Sequence, residues 1–295
     1  MNVIIVLNYN DFETTDTFVK NVHEYEVLNK IIIVDNCSPD GSFNQLILLQ
    51  DYKVDVIQTS SNRGYSTGNN YGIKYAEEHY SPDNIIISNP DIKCSEDSIK
   101  KVINGLSDPQ IGMATGVIHN FTKQGDPRIF SCFGWRLPNY WDMLSNCFLT
   151  TYKLRRCVFK NSIYFDYDAL KNFDKLYVEA VPGCFFAIKD SALQDIDYLD
   201  EGPFLFHEEN MLGYRLKQKQ YKVVIITDAP VYHYDSVTIR KNIRKNFTRD
   251  KINLQSVEIL LKKYIRANNI QWRIYSLAFW LGRWEKTVLN KIFKK

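Results

Sequence analysis

Ile85-Ile86-Ile87-Ser88-Asn89-Pro90-Asp91 decides how this chain is read. Three consecutive β-branched apolar residues predict a strand buried on both faces, and Asn-Pro-Asp ends it abruptly with a carboxylate at its carboxyl edge. In open α/β sheets that edge is where ligands bind. Working outward, residues 3–7, 31–34 and 54–57 repeat the apolar pattern, with intervening stretches long enough for crossover helices. The expected fold class is therefore α/β with a mostly parallel, doubly wound sheet. Polar caps predict helix starts after Asp40-Gly41-Ser42, after Gly64-Tyr65-Ser66 and at Ser95-Glu96-Asp97. Residues 119–180 break the rhythm. They hold 14 of the 41 aromatics with few helical repeats, which predicts a β-rich insertion or lid. Regularity resumes over residues 181–188, followed by a helix over 208–219 and a strand over 222–226. From about residue 239 the chain reads as helical and basic.

Composition narrows the classes further. With 295 residues, 45% of them hydrophobic, the chain can bury a core in one large domain or in a domain plus an appendage. The net charge of +3 is unevenly spread, since residues 241–295 hold 14 Lys/Arg against 3 Asp/Glu and residues 1–240 hold 23 against 31. Six cysteines without a C-x-x-C pair, and an N-terminus that enters a strand directly, predict reduced thiols, no zinc and a cytoplasmic setting. The apolar run 274–281 is far below the roughly 18 residues of a spanning helix. Dinucleotide folds and P-loops need glycines directly after the first strand. Here that segment is Leu7-Asn8-Tyr9-Asn10-Asp11 and the first glycine is Gly41, which disfavours oxidoreductases, P-loop ATPases and sugar nucleotidyltransferases.

Asp91 is placed to hold a divalent cation against a diphosphate. Asp35, at the end of the second strand, is an acceptor-only group suited to the imide N–H of uracil or thymine, or to capping the turn at Cys37-Ser38. Residues 3–10, 34–42, 62–73, Asn89-Pro90-Asp91, Gly183 and 204–212 also follow the order seen in family 2 glycosyltransferases. Over about residues 1–240 the chain resembles that family, and within it the rhamnosyltransferase-like bacterial members that build surface polysaccharides. The resemblance implies a GT-A, Rossmann-like catalytic domain over 1–240 and a basic helical extension over 241–295. It implies inverting, metal-dependent transfer of rhamnose or a hexose from a UDP- or dTDP-sugar to a hydroxyl of a growing, polyprenyl-linked glycan. The alternative is a non-catalytic nucleotide-sugar-binding or membrane-associated partner in a polysaccharide assembly complex.

Carried over position by position, the resemblance implies that Leu7, Asn8, Tyr9 and Asp35 line the base. Asn62, Arg63, Gly64, Asn69 and Asn89 would lie along the nucleotide, with Arg63 near phosphate. Asn89-Pro90-Asp91 stands in for the family's Asp-x-Asp motif, so Asp91 carries the charge for Mg2+ or Mn2+, joined by His233. Glu208-Glu209 occupies the place of the family's Glu-Asp pair, which makes Glu209 the catalytic base, one methylene longer than usual. Gly183, Trp135, Tyr140 and Trp141 are expected on the acceptor side, within the aromatic insertion or beside it. In the extension, Trp272, Tyr275, Phe279, Trp280 and Trp284 lie among basic residues. That mixture suits an anionic membrane on the inner face of the cell membrane, or a helix packed on the catalytic domain or a homodimer partner. The acidic remainder of the chain argues against nucleic acid.

Overall fold

Residues 1–121, 127–129, 133–157, 163–165, 168–234 and 246–293 are described by a computed structural model. The four expected strands form as β1 (Asn2–Asn8), β2 (Lys30–Asp35), β3 (Val54–Gln58) and β4 (Asn84–Ser88). They are joined by α1 (Phe12–Val22), the short α2 (Ser42–Leu46) and α3 (Tyr65–Tyr80). β5 (Ile92–Cys94) follows the Asn-Pro-Asp turn, and α4 (Glu96–Gly105) starts at Ser95, whose side chain accepts from the Ser98 N–H. Then come β6 (Ile111–Phe121) and β7 (Pro127–Ile129).

Within 119–180 the described residues form short helices, α5 (Tyr140–Ser145), α6 (Leu149–Cys157) and α7 (Asp168–Lys171), as well as β7 and β8 (Lys175–Val178). The β-rich expectation is corrected there, because helices this short show no repeat that periodicity can detect. Residues 122–126, 130–132, 158–162 and 166–167 of that segment lie outside the described residues. β9 (Phe185–Lys189), α8 (Asp190–Asp195), α9 (Glu208–Gln218) and β10 (Lys222–His233) complete the α/β part. The basic extension forms α10 (Asn246–Ile259), a π-helical turn (Leu260–Tyr264) and α11 (Asn269–Phe293); residues 241–245, Lys294 and Lys295 lie outside the described residues.

The sheet order is β3-β2-β1-β4-β9-β6-β10-β5, with β7 on β6 and β8 on β10. β3, β2, β1 and β4 are parallel, β9 runs antiparallel between β4 and β6, and β6 is parallel to β10. The α/β expectation holds as a mixed sheet, in which β1, β2, β3, β4, β6 and β10 share one direction and β5, β7, β8 and β9 run against them. Side chains along β1 alternate faces, so Ile4 and Val6 join the core under α1 and α4 while Val3 and Ile5 join the core under α3 and α9.

Register then places the chemistry. Asn8, Asp35 and Gln58 stand side by side at the ends of β1, β2 and β3. A second row crosses the far half of the sheet, where His233 pairs with Asn120 on one side and with Ile92, next to Asp91, on the other.

The extension is part of this body. Tyr275 and Phe279 of α11 join Val257, Leu260 and Leu261, and pack on Tyr140 and Met143 of α5 and Met211 of α9. Eight buried side chains of this size represent on the order of 10 kcal/mol, comparable to the net stability of a domain.

Candidate active site

The donor-side row is closed on itself. Asp35 is fully buried, its Oδ1 accepts from Asn8 Nδ2 (2.8 Å) and Ser38 Oγ (2.6 Å), and its Oδ2 accepts from the Ser38 N–H (3.0 Å) and Gln58 Nε2 (2.9 Å). Those four bonds fill the carboxylate's acceptor positions. Capping the Cys37-Ser38 turn is therefore what Asp35 does in this structure, and a base can reach it only by displacing the amide of Gln58, which is exposed. Asn8 is likewise fully buried, holding Asp35 and accepting from Thr15 Oγ1 at 2.8 Å. Asn69 is fully buried in α3, where its amide donates to the Tyr65 carbonyl. In this structure both side chains are turned into the frame, although Asn69 Oδ1 is buried without a partner. Leu7 packs on Gly68 of α3, while Tyr9 and Asn89 keep partial exposure and Arg63 is exposed.

Asn62 shapes the next turn through the Gly64 N–H (3.0 Å) and Asn36 Nδ2 (3.1 Å). Gly64 has φ 102°, and a Cβ there would lie 2.2 Å from the Phe204 carbonyl oxygen. Only glycine lets the 204–207 loop close on the start of α3.

In the second row, His233 Nε2 stands 3.3 Å from Asp91 Oδ1, while His233 Nδ1 faces Asn120 Oδ1 at 3.2 Å. Both facing atoms, Asp91 Oδ1 and His233 Nε2, are buried without a hydrogen-bond partner. With Nδ1 donating to Asn120, a neutral imidazole points its Nε2 lone pair at a carboxylate, so a proton or a cation must lie between them. Two ligands about 2.1 Å from one octahedral ion stand about 3 Å apart, so this pair fits a divalent cation with positions left for other oxygens. Among the described residues no group of three or more His, Cys, Asp or Glu side chains is placed to hold a metal ion.

A cavity of about 620 Å³ opens beside this pair. Asn89 and His233 line one wall, Glu208 and Glu209 another, and Tyr275, Phe279 and Arg283 of α11 form a roof. The Gly183 N–H donates to Glu209 Oε1 at 3.3 Å, and the Gly183 carbonyl accepts from Tyr65 OH at 2.5 Å. A Cβ on Gly183 would press on Glu209 Cγ and Oε1 at 3.2 Å. Glycine thus makes room for the extra methylene of Glu209, and Gly183 serves the carboxylate as well as the cavity wall. Burial raises the pKa of Glu209, an effect the backbone N–H groups of Glu209 and Gly183 partly offset. Glu208 is only 8% exposed, its Oε1 lacks a partner, and burial together with the charge of Glu209 pushes its carboxyl upward. The arrangement puts the pair's proton on Glu208 and leaves Glu209, open to the cavity, as the ionised member.

Sequence reading missed the chain of bonds behind these carboxylates. Trp135 Nε1 donates to Asn210 Oδ1 (2.9 Å), Asn210 Nδ2 faces His207 Nδ1 (3.1 Å), and His207 Nε2 faces Asn253 Oδ1 of α10 (3.1 Å). An indole can only donate, so it fixes the Asn210 amide and through it the His207 tautomer. Burial lowers the His207 pKa to about 4, in keeping with a neutral ring. Trp135 is thus the one expected acceptor aromatic that reaches the cavity. Tyr140 lies under α11 with its hydroxyl on the Gln271 carbonyl, and Trp141 is 69% exposed on the outside. Neither side chain lines this cavity.

The model of glycosyl transferase family 2 matches residues 3–196. A low-salt glycan biosynthesis hexosyltransferase, Agl10 of Haloferax volcanii, is 22% identical over 230 residues, or 75% of this chain. The matched region covers 62% of that relative, so this chain spans less than two thirds of its length. GalNAc-T7 with UDP, GalNAc and Mn2+ superposes at a TM-score of 0.60 and 13% identity, over 81% of this chain and 44% of that one. The mannosyltransferase PcManGT of Pyrobaculum calidifontis, with GDP-Man and Mn2+, superposes at 0.55 and 14%, over 94% and 73%. TarS of S. aureus with UDP-GlcNAc superposes at 0.56 and 12%, over 100% and 76%. These likenesses establish the GT-A fold.

Proposed function

Since the chain belongs to glycosyl transferase family 2, we propose that it transfers rhamnose or a hexose, with inversion, from a UDP- or dTDP-sugar to a hydroxyl of a lipid-carried surface glycan. The observation that carries this reading is one cavity lined by His233, whose Nε2 faces Asp91 Oδ1 at the sheet edge with neither atom hydrogen-bonded, and by Glu208 and Glu209. Mg2+ or Mn2+ held by Asp91 and His233 would supply positive charge to the departing diphosphate. Glu209 takes the proton of the acceptor hydroxyl as its oxygen bonds to C1 and the C1–O bond to the diphosphate breaks. Glu208 stays neutral, and Gly183 and the His207 chain keep Glu209 aimed into the cavity. Asn62, Arg63, Gly64, Asn89, Leu7 and Tyr9 border the donor groove, and the base reaches Asp35 when Gln58 swings aside.

Support for the pyrimidine donor is the acceptor-only chemistry at Asp35; the neighbours of the same fold hold either UDP or UDP-GlcNAc or, in PcManGT, GDP-Man. Partial apolar lining of the cavity by Met143, Ile163, Phe279 and Tyr275 favours an acceptor with an apolar portion. Placement at the inner face of the cell membrane follows from that acceptor.

The test is release of free nucleoside diphosphate from UDP-, dTDP- and GDP-sugars, with Mn2+ or with chelator, paired with thermal shifts on the same panel. Pyrimidine donors should raise the melting temperature and be hydrolysed only with metal. Equal response to GDP- and UDP-sugars would remove the base assignment, and full turnover in chelator would remove the metal.

A further inference from the structure

Helix α11 is apolar on two opposite faces, and the fold covers one of them. Its inner face packs Tyr275 and Phe279 on α5 and α9 and roofs the cavity. The outer face shows Ile270 (69% exposed), Ile274 (49%), Leu277 (64%), Leu281 (46%), Trp284 (68%) and Ile292 (63%). At 100° per residue these six fall within an arc of about 80°, in one unbroken stripe along the helix. This is not the aromatic face that composition suggested, because Tyr275 and Phe279 point inward and Trp272 and Trp280 are half-buried.

The charges beside the stripe identify what covers it. Residues 246–293 carry nine Lys/Arg against three Asp/Glu. All three acids are engaged: Asp250 with Arg283 (3.0 Å), Glu258 with Lys262 (2.5 Å) and Glu285 with the N–H of Leu149 (2.7 Å) and Thr150 Oγ1 (2.6 Å). Arg273 and Lys291 flank the stripe on one side and are exposed. A second copy packed through the same helical face would meet them with like charges and no spare carboxylate, whereas an anionic lipid headgroup layer complements both the cations and the aliphatic row.

We propose that the outer stripe of α11 lies in the interface of an anionic bilayer, so that one helix floats on lipid with its outer face and roofs the acceptor cavity with its inner face. This rests on the glycosyltransferase reading only for the identity of what enters the cavity. Trp284 sits at headgroup depth, and the other five side chains enter the acyl boundary.

The experiment uses the full chain, flotation with phosphatidylglycerol/phosphatidylcholine vesicles or pure phosphatidylcholine vesicles, and sedimentation without lipid. The wild type should be monomeric, bind the anionic vesicles, and lose binding roughly tenfold or more between low and high salt. Leu277→Asp with Leu281→Asp should abolish flotation, and Arg273→Glu with Lys291→Glu should weaken it at low salt. Both variants alter exposed positions, and both should hydrolyse donor like the wild type. Flotation that survives the Asp pair, indifference to anionic lipid, or a wild-type dimer that the Asp pair splits would each overturn the proposal. Because flotation reads no chemistry, it stands or falls separately from donor turnover.

Discussion

The two rows of polar residues at the carboxyl edge of the sheet are built in opposite ways. In Asn8-Asp35-Gln58 every carboxylate lone pair is filled from within. In the half that holds Asp91, His233 and Glu208, one buried atom of each is left without a partner. Buried polar groups are ordinarily satisfied, so each exception calls for an explanation, and a bound cation or substrate would supply one here. The donor row is a rigid frame finished by folding. The half around the cavity keeps buried polar atoms that a bound ligand would complete.

Removing the charge of the cavity-facing base should break this contrast most severely. Glu209→Gln preserves shape and the Gly183 contact, so kcat should fall roughly 10²–10⁴-fold with donor Kd little changed. Single-turnover rates beside calorimetric donor binding check this; equal losses in both would make Glu209 a binding residue. Asp91→Ala comes next. It removes one side of the orphaned pair, and donor affinity in Mn2+ should drop on the order of 10–100-fold to the level seen in chelator. A variant that still distinguishes Mn2+ from chelator would place the metal elsewhere.

The contrast sharpens at His207, whose bonds join the two carboxylates' helix to α10. Its pKa is depressed to about 4 in the folded protein, against about 6.5 unfolded. Stability from the neutral ring is therefore fully present above pH 6.5 and is lost as pH falls toward 4, by about 3 kcal/mol. Denaturation midpoints across that window should show the fall, and His207→Asn, which tolerates the left-handed backbone there (φ 67°), should flatten it. An unchanged slope would mean the ring is not buried and neutral.

The placement of Asn8 and Asp35 at the sheet edge was legible in the sequence because it is local to strand ends: apolar runs predict β1 to β4, and their last residues had to emerge at one edge. The placement of Asn89-Pro90-Asp91 after β4 and of Glu208-Glu209 at the start of α9 was legible for the same reason, as polar groups abutting strong periodic elements. Burial was not legible. Nothing in the residue types of Asn8, Asp35 and Asn69 tells that the first two bond to each other, or that Asn69 bonds to the Tyr65 carbonyl. β6 was missed because Gly112, Met113, Ala114 and Gly116 lack the β-branched signature of its neighbours. The Trp135-Asn210-His207-Asn253 chain joins residues up to 118 positions apart through single hydrogen bonds, which leave no spacing to detect. The aromatic α11 was read by composition, and only packing separates its inner Tyr275 and Phe279 from its outer aliphatic stripe.

The smallest expected effect on rate tests which carboxylate holds the proton. A neutral Glu208 is nearly isosteric with glutamine, so Glu208→Gln should change kcat less than tenfold, far from the loss expected at Glu209. Its signature lies in stability instead. Because the folded pKa of Glu208 is raised by burial and by the charge of Glu209, the wild type keeps the full benefit of the protonated acid below the ordinary carboxylate range. It loses that benefit as pH rises through the raised value, when the buried group is forced to ionise. The glutamine variant cannot ionise, so its stability should stay level over the same alkaline climb and exceed that of the wild type at the top. Paired denaturant titrations from mildly acidic to mildly alkaline pH measure the gap. If instead the variant tracks the wild type throughout and loses kcat by orders of magnitude, the proton belongs on Glu209 and Glu208 is the base.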